Sequence, residues 1–168
     1  MNAAPSSPIV NLDQLHETRE LRHGDRFDAV LAPVGARIGA RKLGYNVTTV
    51  TPGKCAFPFH NHHVNEELFF VLEGEGTLRY GDESLPVRKG DFVCCAAGGP
   101  AHQLINSGSV PLRYIAVSTM MDVDVWQYPD SGKFGVVAGR VVGAPPTAAS
   151  FTSRFVADGV DVDYWHGE

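Results

Sequence analysis

Three histidines and a glutamate carry the chemistry in this chain. His60 and His62 stand two residues apart, Glu67 follows, and His102 heads a second short apolar run. Alternate residues of a strand point to one face, so His60 and His62 project together, with Cα atoms ~6.6 Å apart at a rise of ~3.3 Å per residue. That spacing lets two imidazoles converge on one ion at bond lengths of roughly 2.0–2.2 Å. Glu67 opens the strongly apolar stretch Leu68-Phe69-Phe70-Val71-Leu72. A carboxylate at the mouth of such a strand needs a partner, because an unpaired buried charge is costly, and a cation held by neutral imidazoles supplies one. His102 can complete the set from a neighbouring strand. The reading is a mononuclear metal site with His60, His62, Glu67 and His102 as ligands. Singly, each of these residues is more often part of a polar loop or a solvated acid pair.

The elements that must position these ligands are strands. Pro52 and Pro58 break any helix before the His pair, and Gly53 and Gly74 bracket the segment as bends. Arg26 to Leu31 alternates enough for a first strand, and Ile38 to Val50 is rich in β-formers at its end, giving one long strand or two. Thr77-Leu78-Arg79-Tyr80 and Ser84-Leu85-Pro86-Val87 read as a hairpin around Gly81-Asp82-Glu83, with Pro86 near an edge. Phe92 to Cys95 and Leu112 to Val117 are two more strands. Short strands at regular spacing with Gly-marked turns mean a sandwich or barrel. Leu12 to Arg22 is compatible with a short helix whose apolar face is thin.

These residues resemble the two motifs of the cupin family. The first motif runs Gly, His-x-His, Glu and Gly, matched here by Gly53, His60, His62, Glu67 and Gly74, with a Gly-to-His gap one residue longer than usual. The seven-residue step to Gly74 selects Glu67 over Glu66. The second motif is matched by Gly90, Gly99, His102 and Asn106, with Ala97 where the family has proline. The resemblance implies an all-β chain: a single cupin-type double-stranded β-helix, or jelly-roll, barrel with short terminal extensions. On that reading residues 1–24 are a partly disordered N-terminal extension, 25–118 the barrel, and 119–168 a C-terminal extension packed on the barrel or on a partner subunit.

Beyond the barrel, Tyr128-Pro129-Asp130-Ser131-Gly132-Lys133 is a turn by residue chemistry. It resembles stretches in a subgroup of bacterial cupins called sugar-phosphate isomerases by similarity. It reads either as a cap bringing Lys133 or Tyr128 near substrate, or as a surface turn anchored by Trp126 and Phe134. Gly143-Ala144-Pro145-Pro146 is a linker, and Phe151, Phe155, Tyr164 and Trp165 are too aromatic for a solvated tail.

Composition limits the function classes. The chain has 168 residues, 43% hydrophobic and 20% charged, with net charge −5 and no basic run, which gives no footprint for nucleic acid. No 18-residue apolar stretch is present, so no membrane span is expected. The start lacks the basic and apolar regions of a secretory signal, and Cys55, Cys94 and Cys95 give no even disulfide framework, so the expected compartment is the cytoplasm. Cys94 and Cys95 are expected as small core residues.

Three imidazoles and a carboxylate suit one divalent transition metal ion, among zinc, manganese, iron, nickel and cobalt. Asn61, Glu66 and Gln103 are candidates to orient the imidazoles. Arg79, Arg113 and Lys133 are the possible substrate cations, and His63 and Tyr80 the other titratable groups near the motif. The function implied is a metal-dependent enzyme on a small oxygen-rich molecule, isomerase-like or dioxygenase-like. The alternative is a non-catalytic ligand-binding module. The expected partners are a small-molecule substrate or ligand and a second copy of the chain, in a homodimer.

Overall fold

The strands follow from alternation. In Leu112–Thr119, Leu112, Tyr114 and Ala116 turn inward, and in Glu67–Glu73, Phe69 and Val71 do the same. Such a period-two stripe can bury one face only by pairing its backbone with neighbours and packing that face on a second sheet. In the computed structural model, which describes residues 7–16, 18–139 and 154–168, fourteen strands do so.

In chain order these are β1 (Arg19–His23), β2 (Phe27–Pro33), β3 (Leu43–Val50), β4 (Asn61–His62), β5 (Glu67–Glu73), β6 (Glu75–Tyr80), β7 (Glu83–Arg88), β8 (Phe92–Cys95), β9 (His102–Ile105), β10 (Leu112–Thr119), β11 (Asp124–Tyr128), β12 (Lys133–Val137), β13 (Arg154–Ala157) and β14 (Val160–Val162). They form a six-stranded sheet ordered β1-β2-β3-β10-β5-β8, a three-stranded sheet β7-β6-β9, and a five-stranded sheet β14-β13-β12-β11-β4. Every strand pairing is antiparallel. The architecture is all-β and jelly-roll, with ladders that do not close into one continuous barrel among the described residues.

The core lies between the six- and three-stranded sheets. Val50, Phe69, Val71, Leu78, Val93, Leu104, Leu112 and Tyr114 are buried together there. The chain crosses between the sheets from β5 to β6 through Gly74 and Gly76. Gly74 has φ +81°, and a Cβ there would lie 2.5 Å from the Pro111 carbonyl oxygen, while one on Gly76 would overlap the Ile105 carbonyl. The crossing is thus tight enough to require glycine at both positions.

Several expectations need correction. Leu12 to Arg22 is not a helix: only Leu12–Gln14 makes a 3₁₀ turn, and Arg19–His23 is the edge strand β1, paired with β2 and burying only Leu21. A thin apolar face is what an edge strand with one inward residue also looks like. Of the stretch from Ile38 to Val50, only Leu43–Val50 is strand. Cys95 is buried in the core, but Cys94, one residue earlier on edge strand β8, is exposed because neighbouring strand residues face opposite ways. The predicted linker at 143–146 and Phe151 lie outside the described residues, as do residues 1–6 of the stretch expected to be disordered.

Candidate metal centre

Three imidazole nitrogens converge on one oxygen. Oε2 of Glu67 lies 3.0 Å from Nε2 of His102, 3.5 Å from Nε2 of His62 and 3.8 Å from Nε2 of His60. Ligand atoms of His60, His62 and Glu67 all lie within 4.8 Å of one another, and His102 joins this group through Glu67. Of the two acids, Glu67 points into the cluster and Glu66 is exposed.

The local fold explains the convergence. β4 is only two residues long, and it pairs with β11, Trp126 opposite His62 and Gln127 opposite Asn61. His60 and His102 bridge each other through reciprocal backbone bonds, His102 N–H donating to the His60 carbonyl at 2.7 Å and His60 N–H to the His102 carbonyl at 3.2 Å. Glu67 reaches the cluster from the first residue of β5, with Phe69 beyond it packed against His102 and Tyr114.

Two ring orientations are fixed from behind. His60 Nδ1 donates to the Pro58 carbonyl at 2.8 Å, and His62 Nδ1 donates to Asp124 Oδ2 at 2.6 Å. Both rings therefore present an Nε2 lone pair to Glu67, and His62 Nε2 is buried without a hydrogen-bond partner. Lone pairs facing a carboxylate repel unless a proton or a cation sits between them. The donor set thus fits a divalent transition metal, and separations of 3.0–3.8 Å suit donors that share one ion at roughly 2.0–2.2 Å.

The electrostatics agree. Burial, with His102 adding to it, pushes His60 down to about 3. Burial also opposes protonation of His62, but its bond to Asp124 and the nearby Glu67 carboxylate outweigh that and raise it to about 9. Burial would raise Glu67, yet the bond from His102 and the nearby His62 ring hold it well below the usual carboxylate range. Without a metal, a proton on His62 takes the place of the cation that the carboxylate demands.

The remaining predicted residues divide sharply. Asn61 donates to the Gly99 carbonyl and Gln103 to the Phe57 carbonyl, so both brace the loops around the ligands rather than the imidazoles. Glu66 and His63 face solvent, and Tyr80 packs against the core. The orienting carboxylate is Asp124, absent from the sequence reading. A lone acid 62 residues beyond His62 leaves no local pattern to find it by.

None of the three candidate cations is free. Arg79 holds Asp130 by two bonds of 2.7 and 2.9 Å and lies 3.6 Å over the Phe59 ring. Arg113 is 3.5 Å from Glu73. Lys133 is buried, pairs with Glu168, and also donates to Ser131 Oγ and the His166 carbonyl.

The C-terminal strands roof the site. Tyr128, 3% exposed, lies face to face with His60, and Trp126 stands edge-on to His62. Aromatic contacts continue through Phe155, Tyr164 and Trp165, whose ring stacks on His23 at 4.6 Å. The aromatic C-terminus therefore docks on its own barrel. Of the residues in the two readings of the Tyr128–Lys133 turn, Tyr128 and Lys133 are buried, Trp126 packs on His62 and Phe155, and Phe134 is exposed. Burial drives Tyr128 far above its usual phenol range and pushes Cys95 up to about 12, so both keep their protons at neutral pH.

Two surface clefts of about 340 and 380 Å³ lie elsewhere, one beside Arg22 and Lys54, the other between β7 and β8. Side-chain exposures of 14% for His60, 11% for His62 and 17% for Glu67 leave room for approach by a small ligand only.

The family model for the cupin domain matches residues 46–118, a span that contains all four candidate ligands. Residues 46–118 thus match the cupin domain. Among curated relatives, an uncharacterized protein of Methanocaldococcus jannaschii is 36% identical over 59 residues, 35% of this chain and 46% of that protein. The oxalate-binding protein of Thermotoga maritima is 31% identical over 70 residues, 42% of this chain and 57% of that protein. The chain thus spans about half the length of these two relatives. Among solved structures, a protein of Acidithiobacillus ferrooxidans provisionally named a sugar phosphate isomerase is 26% identical, with TM-score 0.71 over 89% of this chain and 92% of that one. A cupin-superfamily sugar phosphate isomerase from Silicibacter pomeroyi, 23% identical, shares the fold with TM-score 0.71 over 85% of this chain and 99% of that one. Among the described residues no helix is long and apolar enough to cross a membrane.

Proposed function

We propose that His60, His62, Glu67 and His102 hold one divalent transition metal, and that the protein is a metal-dependent enzyme acting on a small oxygen-rich molecule. The convergence of three Nε2 atoms on Glu67 Oε2 carries this reading. When bound, the metal supplies Lewis-acid polarisation of a carbonyl, carboxylate or hydroxyl oxygen. The chain's own residues do the rest. Pro58 and Asp124 aim the imidazoles. Trp126 and Tyr128 cover them, which limits water and selects a small, compact substrate. Tyr128, whose ring lies against that of His60, is the candidate to give a proton to a bound oxygen.

The likeness to sugar phosphate isomerases favours an aldose–ketose type of proton shuffle, and the oxalate-binding relative favours a small carboxylate as ligand. The cations weigh between the two. A phosphate would have to displace Asp130 from Arg79 or break the buried Lys133 pair, whereas a carboxylate or hydroxycarbonyl needs only the metal. A compact hydroxycarbonyl or carboxylate is therefore the preferred substrate class. A dioxygenase-like reaction on the same class is the second reading, since iron there needs no further protein base.

The test is elemental analysis of untagged protein purified without added metal, followed by calorimetric titration with oxalate, hydroxypyruvate and a sugar phosphate. Metal near one equivalent and heat only with the metal-loaded protein support the reading. Binding without turnover or oxygen uptake would point to a ligand-binding module, and protein that takes up no metal after soaking refutes the site.

A further inference from the structure

The metal motif is not complete within the cupin domain. β4, which carries His62, makes its strand pairing with β11, and β11 lies beyond residue 118, where the family match ends. Three groups of the motif lean on one residue of that strand. Asp124 is fully buried. Its Oδ1 accepts from the backbone N–H of Val64 at 3.0 Å, Asn65 at 3.3 Å and Val125 at 3.0 Å. Its Oδ2 accepts from His62 Nδ1 at 2.6 Å and from Trp126 Nε1 at 2.8 Å. Both oxygens are thus occupied by donors, and none is left to bind a metal itself.

From this geometry we infer that Asp124 is the positioning residue of the metal centre: it fixes the tautomer and aim of His62, and so makes the C-terminal extension part of the site. The inference rests on the ligand assignment proposed above. Its chemistry is specific. Only an acceptor at Oδ2 can hold the proton on Nδ1 and leave the Nε2 lone pair free. An amide nitrogen in that place is a donor, and it turns Nδ1 into the acceptor. The ring proton then moves to Nε2, where it occupies the position that a metal needs. Asp124 also anchors the backbone of Val64 and Asn65, the turn that leads from His62 to Glu67, so one carboxylate couples two of the candidate ligands.

The experiment compares cobalt(II) binding to wild type, Asp124→Asn and Asp130→Asn, followed by the visible cobalt spectrum. Asp130 lies on the same extension and bonds Arg79, away from the imidazoles. The expected result is a loss of cobalt affinity of ~10–100-fold in Asp124→Asn, with a changed visible band, and no change in Asp130→Asn. Equal affinity and an identical spectrum in Asp124→Asn, with wild type binding normally, would overturn the inference and leave the ligand assignment standing. A wild type that binds no cobalt sinks both. Should Asp124→Asn fail to fold, long-range ¹H–¹⁵N spectra of zinc-loaded wild type decide instead. A proton on His62 Nδ1 supports the inference, and a proton on Nε2 refutes it.

Discussion

Tyr128 lies over His60 with ring centroids 5.8 Å apart and planes 18° from parallel. One face of a candidate ligand is thereby shielded by a phenol that burial keeps protonated. Tyr128→Phe keeps the shield and removes only the hydroxyl. If the phenol donates a proton to substrate, turnover falls by ~10²–10⁴-fold, while metal content stays at the wild-type level. Steady-state kinetics beside elemental analysis on one preparation checks this, and unchanged turnover removes Tyr128 from the chemistry.

His102 is 3% exposed and touches both Glu67 and Phe69. His102→Ala is expected to lower metal affinity at least ~10-fold and to leave the far-ultraviolet circular dichroism unchanged. Metal binding itself gives a second readout. Free metal at 100 times its dissociation constant stabilises the folded chain by ~2.7 kcal/mol, which raises the melting temperature by roughly 5–11 °C for a chain of this size. Chelator abolishes that rise in wild type, and in His102→Ala at the same free metal concentration no more than about half of it remains. A full metal-induced rise in the variant contradicts the assignment of His102.

The ion pair of Lys133 and Glu168 is almost wholly buried, with side-chain exposures of 0% and 1%. Lys133→Ala strands the Glu168 carboxylate in the interior and is expected to cost ~3–5 kcal/mol in urea unfolding. The double variant Lys133→Met with Glu168→Gln removes both charges and recovers most of that loss. If the single and double variants are equally unstable, the charge is not the cause and lost packing against Tyr128, whose ring lies 4.5 Å from the ammonium, is.

Gly135 sits where β12 passes beneath the aromatic roof. A Cβ there would lie 2.7 Å from Phe155 Cε1 and 3.1 Å from Trp126 Cε3. Gly135→Ala overpacks this layer and is expected to cost ~1–3 kcal/mol and to shift the Trp126 emission. A wild-type midpoint with unaltered fluorescence would show that Phe155 can move aside freely.

The strands of the domain and the convergence of the histidines on Glu67 were legible because their signals are local. Period-two alternation marks β5 and β10, His-x-His follows from the same period, and the glycines at 74 and 76 announce the crossing between sheets. What escaped depends on distant partners. Asp124 acquires its meaning only from His62, and Lys133 reads as a possible substrate cation until Glu168 is seen beside it. Strand β1 escaped for a different reason. Four of its five residues are polar or charged, and an edge strand that buries only Leu21 shows no stripe. Cys94 and Cys95 show the limit of composition, since adjacent residues of one strand must part to opposite faces.

The pairing of β4 with β11 also sets an order of events in the life of the chain. His62 leaves the ribosome long before Asp124, which follows 62 residues later. At synthesis rates of ~5–20 residues per second, the interval is several seconds. During it, the nascent motif has its histidines but not the carboxylate that aims one of them. On the proposed ligand assignment, a nascent chain stalled before residue 124 is expected to hold a metal ion more weakly than the finished chain, because the carboxylate that aims His62 is missing.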